Sequence, residues 1–208
     1  MPQKSNVSLE RWHDLMRIFG LAGNDGIYNK LIAAYSEKHR AYHTLDHIQA
    51  CFKHLDAVAE FSLYPHEIEL AFWFYDAIYK PFSSTNEEDS AAWAVDFLKD
   101  QSVASDVIER IHRLIILTKE HERPHSMDEK IMLDIDLSIL GTERSVYAQF
   151  EKDIRTEYKR APFFIFKKKR KEILQMFLNR EFLYETPHFR DLLEKRAKGN
   201  LAWAVQEL

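Results

Sequence analysis

The stretch Pro65-His66-Glu67-Ile68-Glu69-Leu70-Ala71-Phe72-Trp73-Phe74-Tyr75-Asp76-Ala77-Ile78-Tyr79 decides the fold. Proline suits the first turn of a helix, where a missing N–H leaves nothing unpaired. From there Ile68, Ala71, Phe72 and Tyr75 recur at intervals of three and four, the period of a helix buried along one face. The spacing predicts a helix over 65–79, and Pro81 prevents an easy continuation. The same period extends towards the N-terminus. Trp12, Leu15, Met16 and Phe19 form one stripe, closed by Gly20, and Leu31, Ile32 and Tyr35 form another. Thr44 is placed to cap a helix through Ile48, Cys51, Phe52, Leu55 and Val58.

Towards the C-terminus, Thr85-Asn86-Glu87-Glu88 reads as a capping box for a helix through Trp93 and Phe97. Ser126-Met127-Asp128-Glu129 reads as another, for a helix ending at Gly141. Further helices are predicted over 102–119, 143–159 and 162–179, with a shorter pair after Pro187. Five glycines and six prolines leave few interruptions, and no strand is predicted. The expected architecture is an all-α helical bundle, one domain over 1–208.

Composition narrows the function classes. With 46% apolar and 30% charged residues the chain is neither disordered nor a membrane protein. No apolar run approaches the ~20 residues that cross a bilayer. Residues 1–5 carry no apolar stretch like that of a signal peptide, so a cytoplasmic address and no membrane partner are expected. Cys51 is the single cysteine, which excludes an internal disulfide and a cysteine-based zinc site. A net charge of −4 argues against a nucleic-acid-binding surface. The local exception is Lys167-Lys168-Lys169-Arg170-Lys171 after Phe163-Phe164-Ile165-Phe166. Such a run attracts phosphate or simply forms the solvated start of a helix.

Chemistry is sought where polar residues sit on faces that ought to be buried. Asp76 has Phe72 and Trp73 one turn before it and Tyr79 after it. Asp136 has Met132 and Leu133 before it, and Ile139 and Leu140 after it. A carboxylate among apolar neighbours needs a cation, a set of donors or a proton. Lys80 is a structural partner for Asp76, and a neighbouring helix end or an arginine is one for Asp136. Asp134, between Lys130 and Ser138, is expected on a wetter face. His43 and His47 flank the predicted start of the third helix. The His-x3-His spacing lacks the glutamate of a zincin, because Thr44 follows His43.

Five blocks together resemble the small predicted phosphohydrolases of the HD superfamily. They are Arg40-x-Tyr42-His43-x3-His47-Ile48, Ala71 to Tyr79, Asn86-Glu87-Glu88-x-Ser90-Ala91, Thr118-Lys119-x-His121, and Asp134-Ile135-Asp136-Leu137-Ser138-Ile139-Leu140-Gly141. The resemblance continues through Arg170, Ile173, Leu174, Phe177, Leu178, Arg180, Tyr184, Thr186, Asn200 and Leu201. It implies an HD-like helical bundle with a divalent metal (Mn, Zn, Mg, Co or Ni) held by His47, Asp76 and Asp136, with His121 or His43 as a further ligand. His121 also reads as a surface residue. The family is named for an adjacent His-Asp pair, and here the resemblance departs: relatives read Trp-Phe-His-Asp where this chain reads Trp73-Phe74-Tyr75-Asp76. A neutral phenol is a poor ligand for these metals.

Two functions follow as expectations. In the first, the chain hydrolyses a small phosphorylated metabolite or nucleotide. The metal would activate water, while Arg40, His43 or Lys119 stabilises phosphoryl charge. Glu87 or Glu88 would orient water or act as base, although both also fit the capping box. In the second, Tyr75 marks a degenerate HD-like domain that binds a phosphorylated ligand or a protein partner without turnover. No nucleic-acid partner is expected, and an oligomer is left open.

Overall fold

The computed structural model describes residues 7–120 and 123–208, and among these every regular element is helical. Seven helices begin in the N-terminal part: α1 (Leu9–Ile18), α2 (Asp25–Tyr35), α3 (Leu45–Val58), α4 (Pro65–Phe74), α5 (Asn86–Asp100), α6 (Ser105–Glu120) and α7 (Met127–Asp136). A 3-10 turn (Leu137–Gly141) follows, then α8 (Arg144–Glu157), α9 (Phe163–Leu178), the short α10 (Pro187–Phe189), a turn of π-helix (Arg190–Glu194) and α11 (Lys195–Glu207). By their contacts the described residues cluster into two compact units, one up to Met132 and one over Leu133–Leu208.

The first unit is organised by α4. Ile68, Leu70, Ala71, Phe72, Trp73 and Phe74 are all fully buried, so this helix is covered all round rather than along one stripe. α1, α3, α5 and α6 pack against it. Trp73 is met edge-on by Trp12 at 5.4 Å and at a tilt by Phe52 at 5.1 Å, and Phe74 stacks on Phe97 at 5.8 Å. Buried charge here is paired. Arg11 donates to Glu69 at 2.8 Å and to both oxygens of Asp56 at 2.8 and 2.9 Å. Burial still pushes the Glu69 carboxyl up, and Arg11 opposes that shift.

The predicted helix over 65–79 ends early, with Tyr75 as the C-cap of α4. The reason is a side chain far away in sequence. The Arg40 guanidinium donates to the carbonyls of Asp76 (2.7 Å) and Ala77 (2.9 Å), and Ser90 Oγ accepts from the Ile78 amide at 3.0 Å. These bonds replace the ones a continuing helix would have made. Asp76 therefore lies just beyond the helix, not on it.

The capping boxes fare differently. Ser126 Oγ accepts from the Glu129 amide at 3.1 Å as expected. Thr85 makes no side-chain cap; its hydroxyl donates to Asp89 instead, at 3.2 Å. Thr44 sits at the N-cap of α3, also without a side-chain cap bond.

In the second unit, Gly141 lets the chain approach closely. A Cβ there would stand 2.5 Å from Leu193 Cβ and 3.0 Å from the Tyr184 hydroxyl. Around it, Tyr184 donates to the Leu137 carbonyl at 3.0 Å, and Asn200 donates to the carbonyls of Leu140 (2.8 Å) and Thr142 (2.9 Å). Asp134 is wholly buried, contrary to the wetter face expected for it, whereas Asp136 at the end of α7 is half-buried. Asp134 accepts from the amides of Glu185 (2.6 Å) and Thr186 (2.8 Å) and from the Thr186 hydroxyl (2.6 Å).

Candidate functional site

Two segments of the first unit build the site. One is the irregular stretch 36–44 leading into α3, which carries Arg40, Tyr42 and His43. The other is the turn after α4, which carries Tyr75, Asp76 and Tyr79. Arg40 ties them together. Besides the carbonyls of Asp76 and Ala77, it donates to the His43 carbonyl at 3.2 Å and to Glu37 at 3.1 Å. Its guanidinium also lies 5.2 Å from the Tyr35 ring and 5.5 Å from the Tyr79 ring. The Arg40 side chain is fully buried. It acts as a brace, a different task from the phosphoryl contact expected of it.

His47, in the first turn of α3, is buried to 8% exposure. Its Nε2 is hydrogen-bonded to the Tyr75 hydroxyl, and Cys51 Sγ lies 3.8 Å from that same hydroxyl. Asp76 Oδ2 stands 4.0 Å from His47 Nε2. The Tyr42 ring tilts over His47 at 4.5 Å. His43 is stacked on Tyr79 at 4.1 Å, and His39 Nε2 contacts the Tyr79 carbonyl at 2.7 Å. Tyr42, Tyr79, His39 and Cys51 escaped the sequence reading as site residues. The density of histidine and tyrosine over 39–47 is a signal for His39 and Tyr42, whereas Cys51 and Tyr79 lie outside that stretch.

Electrostatics distinguish the two glutamates of α5. Burial raises the Glu87 carboxyl above its usual range, and the charge of Asp76 adds to the effect. Glu88 is exposed and ion-pairs with Lys119, which holds its carboxyl low. Lys119 Nζ also donates to the Ser84 carbonyl at 2.7 Å, so it braces the loop before α5. An open cleft of about 340 Å³ lies beside the start of α3, with Tyr35, Lys38, Arg40, Thr44, Leu45 and Asp46 among its walls.

His121 lies outside the described residues, and Asp136 belongs to the second unit. No family model, curated protein or solved structure matches this chain. Among the described residues, no three His, Cys, Asp or Glu side chains are grouped to hold a metal ion. The chemistry of His47 explains part of this. A metal shared between His47 and Asp76 needs the lone pair of Nε2, the ring nitrogen 4.0 Å from the Asp76 carboxylate. If the phenol donates, that lone pair is engaged; if the imidazole donates, Nε2 carries a proton. In either case the Tyr75 hydroxyl stands where an ion would bind, and the donor set does not fit the metal that the HD resemblance implies.

Proposed function

We propose that this chain is an HD-like domain that binds a small phosphorylated ligand without hydrolysing it. The observation that carries the reading is the hydrogen bond between the Tyr75 hydroxyl and His47 Nε2. It puts a buried phenol contact where the HD resemblance implies a metal–imidazole bond. The ligand's anion is expected at the start of α3, where first-turn amides favour negative charge. Lys38 on the cleft wall adds a cationic donor, beside Glu37 and Asp46 on the same walls. A cleft of about 340 Å³ is within the range that holds a small ligand.

The alternative is a metal-dependent phosphohydrolase, and one observation favours it. His47 Nε2 and Asp76 Oδ2 are only 4.0 Å apart, which suits two groups facing one ion. The hydrolase requires Tyr75 to leave His47.

A panel of nucleoside monophosphates, sugar phosphates and inorganic phosphate separates the two. Binding without turnover predicts that at least one compound raises the melting temperature, while no phosphate is released with manganese, zinc, magnesium, cobalt or nickel present. Metal-dependent phosphate release abolished by Asp76→Asn would install the hydrolase instead. No thermal shift with any compound would remove the ligand-binding reading.

A further inference from the structure

The turn between α8 and α9 presents an unusual surface. Phe163, Phe164 and Ile165 are 62%, 73% and 45% exposed, although the same helix buries Phe166, Leu174 and Phe177. Three consecutive large apolar side chains are thus left out of the core of the second unit, the kind of patch that marks an interaction surface. Cations flank the triad on both sides. Lys159 and Arg160 precede it and Lys168 and Lys169 follow it, all exposed. Of the nearby acidic groups, Glu157 is buried and Glu172 pairs with Lys169 at 3.0 Å. The turn is also held in shape: Arg155 donates to the carbonyls of Tyr158 (2.6 Å) and Ala161 (3.2 Å) and lies 5.7 Å from the Phe163 ring.

We propose that this tip docks on the surface of an anionic lipid bilayer, with Phe163, Phe164 and Ile165 entering the headgroup region and Lys159, Arg160, Lys168 and Lys169 meeting lipid phosphates and carboxylates. Aromatic and aliphatic side chains ringed by lysine and arginine are the composition that binds such interfaces. Charge also disfavours the simplest rival, a symmetric contact with a second copy, because it sets four cations against four. No described helix is long and apolar enough to cross a membrane, so the contact is peripheral. It departs from the expectation of no membrane partner because the exposure of the triad is set by tertiary packing, which composition does not reveal.

The test is co-sedimentation of the full chain with vesicles of phosphatidylcholine alone and of phosphatidylcholine and phosphatidylserine in equal parts. Binding is expected to the anionic vesicles only and to weaken as salt is added. Each lysine near an anionic surface is worth about a 5-fold change in partition. Lys168→Glu with Lys169→Glu is therefore expected to lower partition at least about 10-fold, and Phe163→Ser with Phe164→Ser to abolish it. Circular dichroism checks both variants for folding; the charge variant changes only exposed side chains and keeps the test open if the phenylalanine variant unfolds. Binding to neither vesicle, or equal binding to both, would overturn the proposal. So would self-association in analytical ultracentrifugation that disappears with Phe163→Ser and Phe164→Ser while vesicles go unbound, which would give the face to a second copy.

Discussion

Asp134 and Asp76 are both aspartates among apolar neighbours, and the molecule treats them in opposite ways. Asp134, in the second unit, receives two backbone amides and a hydroxyl from Glu185 and Thr186, and its side chain is closed off from solvent. Asp76, in the first unit, has its backbone carbonyl fixed by Arg40 while its carboxylate lies 4.0 Å from a histidine and keeps some exposure. A carboxylate surrounded by the chain's own donors is a clamp. One whose backbone is held beside an imidazole, with its side chain still partly exposed, has its place set by the turn that carries it.

Removing the clamp should have the largest effect. Asp134→Ala leaves the amides of Glu185 and Thr186 buried without their acceptor, which costs on the order of 4 kcal/mol. Thermal unfolding is expected to show a drop of roughly 10 °C, and a drop of a degree or two would mean that Asp134 is no clamp. Arg40→Ala comes next, because the carbonyls of Asp76 and Ala77 lose a charged donor; a loss of about 3 kcal/mol is expected in denaturant titrations. Arg40→Lys should recover little, since a lysine cannot reach these carbonyls together. An unchanged midpoint would detach Arg40 from the turn.

The smallest effect concerns pH. Burial pushes the Asp134 carboxyl up to about 6, against the opposing pull of its three donors. A carboxyl raised in the folded state stabilises the fold most when protonated, and this contribution fades as pH rises through about 6. Between about pH 7 and pH 5, the wild type should therefore gain about 1 kcal/mol relative to Asp134→Asn. A difference independent of pH would mean that the three donors outweigh burial and keep the carboxylate charged.

Much of the helical architecture was legible in the sequence, because apolar spacing reports which face of a segment is covered. Pro65 opens α4 as expected. The end of α4 was not legible, since Arg40 terminates it from 36 residues away. The ranking of Asp134 and Asp136 was reversed for a related reason: the donors to Asp134 come from residues 51 and 52 positions later, and no local pattern announces them. Of the two capping boxes, Ser126 makes its bond and Thr85 does not, because Glu88 is drawn to Lys119 and Thr85 to Asp89. In the site, His47, Tyr75 and Asp76 were singled out from the sequence and do lie together. That the phenol would bond the very nitrogen a metal requires was beyond reach, because it depends on side-chain placement rather than on which residue types are present.

The most direct measurement is a calorimetric titration of wild type and Tyr75→His with manganese and with zinc. Histidine fits a helix end about as well as tyrosine, so the variant should fold. If Tyr75 blocks His47, the variant binds at least ~10-fold more tightly than wild type, a gain of ~1.4 kcal/mol per decade. Equal affinities for the two proteins would contradict this, and would mean that the bond between Tyr75 and His47 does not govern whether this domain takes a metal.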